Sequence, residues 1–315
     1  MKVVLGSDHL GTDFLERLQD TFPDTRFTLA LSHDDMVREA ADAEVFLGWP
    51  TREVFRSGSD LKWVHCIGTG VDNVEALADI ADAGIPITNA RGPHTEPMAD
   101  QTMLFLLSLA HNAKKMLDDQ TNGVWDTNGY DHVEVSGSSM GLYGFGMIGR
   151  AIARRALGFG MNVTAVDPGP DDEVPGVDVW GTDRLDELFR TSDWLVVACP
   201  LTEETRMSVE SRRIGLLKPT SSLIVISRGG IVDEGALGAA LTAGSISGAA
   251  LDATDPEPPS SESPFWSHPN VLISSHSSAL TPEMYEGRRQ IVIENLHHYL
   301  AGETLINRVD PVKGY

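Results

Sequence analysis

The sequence predicts an α/β fold made of two doubly wound domains, each with its own parallel sheet. Three observations support this prediction. Short apolar runs alternate with helical patterns along the 315 residues, which is typical of parallel strands joined by crossover helices. A long apolar helical pattern that begins near residue 95 separates two such series. A glycine-rich turn follows the first strand of the second series.

The first series has predicted strands at residues 3–5, 27–31, 45–47, 63–67 and 87–88. Between the first two, Phe14, Leu15 and Leu18 lie on one face of a predicted helix over 13–20. The second series has predicted strands at residues 141–143, 163–166, 195–198, 223–226, 249–251 and 271–273, after a polar stretch over 118–139. A final helix begins after Thr281, a good N-cap, and continues to about residue 300.

The charge of the chain restricts its partners. The formal net charge is −22 at pH 7, and a surface this acidic repels nucleic acid and anionic lipid. We therefore expect no nucleic-acid partner. The acidic residues are spread along the chain, which favours a halophilic protein because salt screens the self-repulsion. An acidic protein adapted to ordinary salt is the alternative.

The cysteines and the N-terminus indicate compartment and cofactor class. Cys66 and Cys199 lie in apolar, strand-like runs, which favours buried thiols over a disulfide framework. Neither belongs to a metal-ligand spacing, so we expect no metal site. The first residues lack a secretory signal pattern, and no apolar stretch reaches the length of a membrane span. We therefore expect a cytoplasmic protein that has no membrane partner.

A GxGxxG pattern is formed by Gly144, Gly146 and Gly149, between an apolar strand and a helical pattern. In dinucleotide-binding folds the first glycine allows a tight turn, the second lets the backbone approach a pyrophosphate, and the third lets the helix pack on the strand. The next strand ends in Asp167, where a carboxylate can bind both ribose hydroxyls. The sequence therefore predicts a Rossmann-like domain that binds NAD. NADP is the alternative, although Asp167 would repel its 2′-phosphate.

Three further predicted strands of this domain are followed by chemically useful side chains. Arg228 follows the strand at 223–226, Asp255 and Glu257 follow the strand at 249–251, and His276 follows the strand at 271–273. Ligands of open parallel sheets bind outside the carboxyl ends of the strands. We therefore expect an arginine, an acid and a histidine near the nicotinamide end of the cofactor.

These residue types suit the reduction of a 2-oxo acid. The planar guanidinium of Arg228 can hold a carboxylate and polarise a carbonyl. His276 can donate the proton that the carbonyl oxygen needs, since histidine titrates nearest neutrality. A carboxylate bonded to the ring fixes its tautomer. Glu257 is the candidate for that carboxylate, and Asp255 is the alternative.

These residues resemble the D-isomer-specific 2-hydroxyacid dehydrogenases, over nearly the whole chain. The resemblance is carried by residues 69–73, 144–149, 200–205, 228–234 and 257–258, and by His276. Its specific mark is an arginine, a glutamate and a histidine in that order. The chain departs from the family pattern at Ser275, where a proline often precedes the catalytic histidine.

The resemblance implies a role for each matching residue. Arg228 and His276 would bind substrate. His276 would be the acid/base, and Glu257 would pair with it. The amides of Thr69 and Gly70 would take the substrate carboxylate. The cofactor would be lined by Gly144, Gly146, Met147, Ile148, Gly149, Asp167, Pro200, Thr205, Ile226, Ser227, Asp252 and His276.

The resemblance also implies a domain plan and an assembly. Residues 1–93 and 283–315 would form a discontinuous, flavodoxin-like substrate-binding domain, and residues 94–282 would form the dinucleotide-binding Rossmann domain. A cleft would separate the two domains, and two copies of the chain would form a homodimer.

The predicted function is the reversible reduction of a 2-oxo acid to a D-2-hydroxy acid by hydride transfer from a nicotinamide cofactor. One alternative is an NAD-sensing binding protein like a corepressor, since the residue set does not separate it from an enzyme. Another is a formate dehydrogenase-like enzyme, which needs no proton donor and is disfavoured by the Glu257–His276 pair. The sequence leaves the identity of the 2-oxo acid open.

Overall fold

The computed structural model describes residues 1–169 and 174–311. Two compact units are present: Met1–His94 with Thr281–Tyr315, and Thr95–Leu280. The last part of the predicted 283–315 segment, residues 312–315, lies outside the described residues. In the described chain, no helix combines the length and apolar character that a membrane span requires.

Strands and helices alternate in both units. The first unit begins with β1 (Lys2–Leu5), α1 (Asp13–Thr21), β2 (Arg26–Leu29), α2 (His33–Ala40), β3 (Val45–Leu47), α3 (Arg52–Ser57), β4 (Trp63–Cys66), α4 (Leu77–Asp82) and β5 (Ile87–Asn89). The second unit contains α5 (Thr95–Ala110), α6 (Ala113–Asn122), β6 (Ser139–Tyr143), α7 (Met147–Gly158), β7 (Asn162–Val166), β8 (Val177–Trp180), α8 (Leu185–Thr191), β9 (Trp194–Val197), α9 (Ser211–Ile214), β10 (Ser222–Val225), α10 (Glu234–Thr242), β11 (Gly248–Leu251) and β12 (Val271–Ile273), with short 3-10 helices at Thr182–Arg184 and Pro264–Trp266. The chain then returns to the first unit as α11 (Pro282–Ala301).

The sheet of the first unit has five strands in the order β2-β1-β3-β4-β5. Its neighbouring strands pair in parallel, and this is the strand order of flavodoxin-like sheets. Alternate residues of one strand enter different cores: Val64 packs in one hydrophobic cluster and Trp63 in the other. The strand is therefore buried on both faces, as strands of parallel sheets are.

The sheet of the second unit has seven strands in the order β12-β11-β10-β9-β6-β7-β8. All six pairs are parallel. The direction of chain progression reverses between β6 and β9, which is where doubly wound sheets bind ligands. The predicted α/β class, with two doubly wound parallel sheets, is confirmed.

Local capping fixes the starts of α10 in the second unit and of α11 in the first. The Asp233 carboxylate accepts a hydrogen bond of 2.9 Å from the Ala236 N–H at the start of α10. The Thr281 hydroxyl accepts one of 3.2 Å from the Met284 N–H at the start of α11. Side-chain oxygens at these positions satisfy amides that have no partner within the helix.

Candidate active site

The glycine-rich turn joins β6 to α7 at the point where the sheet order reverses. Gly144 has a φ of +104°, and a Cβ there would lie 2.6 Å from the Cys199 amide nitrogen at the end of β9. A Cβ on Gly149 would lie 2.4 Å from the Gly144 carbonyl oxygen. Only glycine fits at either position, because a side chain would push α7 or β9 away from the turn.

Gly146 faces open space instead. Among residues 1–169 and 174–311, no heavy atom beyond its chain neighbours lies within 4 Å of a Cβ built on it, and it is the N-cap of α7. The space in front of the first amides of α7 is therefore free for an anion, which the helix N-terminus favours. Met147 begins the helix with 43% of its surface exposed, and Ile148 packs against the core behind it. This arrangement fits the pyrophosphate of a dinucleotide.

Asp167 follows β7 beside the same turn. Its Oδ2 accepts a hydrogen bond of 2.7 Å from the Phe145 N–H, and its Oδ1 accepts one of 2.9 Å from the Gly169 N–H. Both oxygens retain further lone pairs, so the carboxylate can still accept ribose hydroxyls. The contact with Phe145 fixes the acid against the glycine turn.

The ends of β9 and β10 provide the next predicted residues. The carbonyl of Pro200 accepts a hydrogen bond of 2.6 Å from the Thr205 hydroxyl, so these two residues close a turn. Ile226 is buried in the core after β10. The Ser227 hydroxyl is buried without a hydrogen-bond partner in the described chain. A buried hydroxyl with unused hydrogen-bonding capacity fits a site whose ligand supplies the partner.

The three candidate catalytic side chains meet at the carboxyl ends of β10, β11 and β12. His276 Nδ1 lies 2.9 Å from Glu257 Oε2 and 3.1 Å from Glu257 Oε1. His276 Nε2 lies 3.4 Å from Arg228 Nη1. One ring nitrogen therefore contacts the carboxylate and the other faces the guanidinium. Glu257, the preferred candidate, makes the contact with the ring, whereas Asp255, the alternative, makes no hydrogen bond or ion pair with His276 in the described chain.

The histidine loop has an unusual backbone and a buried support. His276 has a φ of +52°, a left-handed conformation that is uncommon for residues other than glycine. Asp252, with 2% of its surface exposed, accepts hydrogen bonds from the Ser277 and Ser278 amides at 2.9 and 3.2 Å. Its backbone carbonyl accepts the His276 N–H at 2.9 Å. Asp252 thus organises the loop mainly through backbone groups, a role that residue type alone does not indicate.

Thr69 and Gly70 follow β4 in the first unit. The Thr69 carbonyl accepts a hydrogen bond of 2.7 Å from the Asn89 side chain, which follows β5. The amide N–H groups of Thr69 and Gly70 donate to no acceptor in the described chain. Free amides at the carboxyl end of a parallel sheet can bind a carboxylate.

Neither thiol is arranged for chemistry, and no metal cluster is present in the described residues. Burial raises the pKa of Cys66 and of Cys199 to about 12, so both stay protonated. Within residues 1–169 and 174–311, no three His, Cys, Asp or Glu side chains are grouped to hold a metal ion.

Sequence comparison now identifies the family. The profile described as D-isomer specific 2-hydroxyacid dehydrogenase, NAD binding domain, matches residues 103–278. The chain belongs to this family. The predicted family and the predicted nicotinamide cofactor are thereby confirmed.

Relatives and solved structures agree with this membership. The chain is 30% identical to a D-3-phosphoglycerate dehydrogenase of Methanocaldococcus jannaschii, over 98% of this chain and 60% of that protein. It is 35% identical to a glyoxylate reductase of Thermococcus onnurineus, over 87% of this chain and 81% of the reductase. The crystal structure of a D-isomer specific 2-hydroxyacid dehydrogenase from Xanthobacter autotrophicus Py2 with NADPH and MES has a TM-score of 0.86 and 28% identity, covering all of this chain and 99% of that one. The chain spans less than two thirds of the phosphoglycerate dehydrogenase.

Proposed function

We propose that this dehydrogenase family member reversibly reduces a 2-oxo acid to the D-2-hydroxy acid. The observation that carries the proposal is the placement of Arg228 and Glu257 on opposite nitrogens of His276, at 3.4 and 2.9 Å. A bound nicotinamide would supply the hydride for the 2-carbon. The protein must then hold the acid and deliver a proton to its oxygen.

The three side chains divide that work. Glu257 accepts a hydrogen bond from the Nδ1–H of His276, which leaves Nε2 as the nitrogen that exchanges a proton with substrate. Arg228 lies beside Nε2, so a carbonyl oxygen near both groups would be polarised by the guanidinium and protonated by the ring. In the opposite direction, the neutral ring would accept the proton of the hydroxyl group.

The remaining predicted residues bind rather than react in this proposal. The free amides of Thr69 and Gly70 would take a substrate carboxylate. The turn from Gly144 to Gly149 would hold the pyrophosphate, and Asp167 would bind the adenosine ribose and favour NAD over NADP. The buried Ser227 hydroxyl would bond to a polar group of the nicotinamide half.

A steady-state screen tests the activity. Glyoxylate, pyruvate and hydroxypyruvate would each be offered with NADH and with NADPH, at 0.1 M salt and in molar salt. We expect oxidation of at least one cofactor with at least one acid, and loss of that activity in His276→Ala. Cofactor binding without turnover on any 2-oxo acid would reject the enzyme and favour a nucleotide-sensing binding protein.

We further propose that the protein is a cytoplasmic homodimer. Exposed apolar side chains in and after α5 and α6 support dimer formation: Leu104 is 56% exposed, Leu117 57% and Trp125 101%. Contiguous apolar surface marks interaction sites, and these residues lie on or just after two consecutive helices. Light scattering should report two chains per particle, and Leu117→Glu should shift the particle toward monomer. Leu31→Glu, at a leucine 51% exposed in the first unit, is the matched control.

The spread negative charge leads us to propose a halophilic protein. Its formal net charge of −22 causes self-repulsion that salt screens. The midpoint of thermal unfolding should rise from low salt to molar salt. A midpoint highest at low salt would contradict the proposal.

A further inference from the structure

Glu234 has no role in the proposed reaction so far, yet it contacts the loop that carries Glu257. It is the first residue of α10, and its Oε1 accepts a hydrogen bond of 2.7 Å from the Asp255 N–H. This bond connects the helix to the loop over residues 252–259, which follows β11 and contains Glu257. Hydrogen bonds from a backbone amide to a carboxylate are among the stronger ones in proteins.

The same loop packs closely on the segment that precedes α10. A Cβ on Gly229 would lie 2.1 Å from the Thr254 carbonyl oxygen and 2.7 Å from the Asp255 amide nitrogen. The backbone of the loop therefore touches the residue next to Arg228. Gly229 permits the approach, and Glu234 bonds to the amide that the approach brings within reach.

Inside the loop, further bonds connect this anchor to the acid. The Thr254 N–H donates to Glu257 Oε1 at 3.1 Å, and the Thr254 hydroxyl donates to the Pro256 carbonyl at 3.0 Å. Glu257 follows the anchored Asp255 by two residues. The position of the Glu257 carboxylate beside His276 therefore depends on where the Thr254–Asp255 backbone is held.

We propose that Glu234 is a positioning residue that holds the 254–257 loop, so that Glu257 stays bonded to His276 during proton transfer. Its effect on catalysis rests on the proposed dehydrogenase function, while its effect on the loop does not. Glu234 itself touches neither ring nor guanidinium in the described contacts, so it acts only through the loop.

The surroundings of Glu234 disfavour its ionised form. Burial, followed by the nearby carboxylates of Asp255 and Glu257, raises the pKa of Glu234, and the bond from the Asp255 amide opposes the rise. An acid is disfavoured beside two others in a partly desolvated place. The amide bond offsets this cost only while the loop stays in contact with α10.

Two conservative variants separate the effect of the length of the Glu234 side chain from the effect of its charge. Glu234→Gln keeps an oxygen at the same distance and removes the charge, whereas Glu234→Asp keeps the charge and is one methylene shorter. If the hydrogen bond positions the loop, Gln should behave like wild type and Asp should not. Glu262→Gln is the control, because Glu262 is exposed and its carboxylate makes no bond in the described chain.

Hydrogen exchange measured by mass spectrometry on peptides that span 252–263 provides a readout that needs no activity. We expect Glu234→Asp to exchange at least about fivefold faster than wild type at the amides of 253–257. Glu234→Gln and the Glu262→Gln control should stay near wild type. Wild-type exchange in Glu234→Asp, or faster exchange in Gln than in Asp, would overturn the positioning role.

Steady-state kinetics supply the second readout. Glu234→Asp should lower kcat about tenfold, the size of one lost hydrogen bond, with KM for the oxo acid within about twofold. Glu234→Gln should retain most of kcat. A fall in kcat without faster exchange would also overturn the inference. An inactive wild type would reject the proposed function alone, since the exchange measurement would still decide how the loop is held.

Discussion

Replacing Gly229 with alanine tests the site through its most crowded backbone contact. A methyl group there would lie 2.1 Å from the Thr254 carbonyl oxygen and 2.2 Å from the Thr254 carbonyl carbon, where ordinary contact begins at 3.4 Å. The φ of Gly229 is not in the left-handed region, so the substitution acts through contact rather than through backbone strain. The 254–257 loop must move to relieve it.

The size of that movement sets the expected effect. Restoring ordinary contact requires the Thr254 backbone to retreat by about 1.3 Å, and Glu257 follows in the same loop. The bond from Glu257 to His276 Nδ1 is 2.9 Å long, and a retreat of this size would break it. Misplacement of a catalytic group by about 1 Å costs about 100-fold in rate. We therefore expect Gly229→Ala to lower kcat about 100-fold.

The assay compares kcat, cofactor affinity and thermal unfolding in wild type, Gly229→Ala and a control. Gly158→Ala is the matched control, because Gly158 ends α7 and, outside that helix, a Cβ there meets no heavy atom of the described residues within 4 Å. The control should keep wild-type kcat. Gly229→Ala should still bind NADH, since the turn from Gly144 to Gly149 is not touched. A folded Gly229→Ala enzyme with wild-type kcat would refute the reasoning.

Four further predictions follow from the site and the core. His276→Ala should reduce turnover by about two to four orders of magnitude with cofactor binding retained, and unchanged turnover would reject its role as acid/base. Arg228→Lys should raise KM and lower kcat because the planar fork is lost, so full activity would argue against substrate clamping. Asp167→Ser should improve kcat/KM with NADPH relative to NADH, and an unchanged ratio would remove Asp167 from cofactor choice. Burial lowers the pKa of His65 to about 3. The unfolded chain therefore binds a proton below about pH 6.5 that the folded protein excludes, and the free energy of unfolding should fall by up to about 1.4 kcal/mol per pH unit below that value; urea unfolding of His65→Leu should lack this dependence.

The fold was predictable because its signal is repeated along the chain. Nearly every central strand is a short run of buried apolar residues, as in Leu142, Val196 and Ile224. Such runs are typical of strands that are buried on both faces of a parallel sheet. The strand β8, Val177–Trp180, was not predicted. It lies at the sheet edge and none of its residues is fully buried. An edge strand of this kind carries little hydrophobic pattern to detect.

The region after the long helix shows a second limit. The sequence suggested a polar, irregular stretch from residue 118, whereas α6 extends over Ala113–Asn122 and has no buried residue. Its large apolar residues, Met116 and Leu117, are adjacent in sequence and exposed, so they form no extended apolar stripe that would predict a buried helix. Its end is fixed locally by Gly123, whose φ is +66°.

Part of the candidate site could likewise be predicted from residue types, and part could be found only from the structure. The sequence predicts that an arginine, an acid and a histidine that follow three successive strands lie close together, because the carboxyl ends of parallel strands share one edge of the sheet. Glu257 was preferred to Asp255, and the family resemblance assigned it, but residue type alone did not exclude Asp255, since both are acids of one short loop. Geometry separates them: Glu257 contacts His276, and the Asp255 amide bonds to Glu234.

The supporting residues were the hardest to foresee, because most of their partners are backbone atoms. Asp252 was expected to line the cofactor, and the structure bonds its carboxylate to the amides of Ser277 and Ser278. Glu234 belongs to a recognisable motif, yet the motif does not reveal which amide it accepts. Backbone amides carry no residue identity, so such bonds leave no trace in a single sequence. The residues that hold a catalytic group in place must therefore be found from the structure. They are tested by variants that change the length of the side chain without changing its charge.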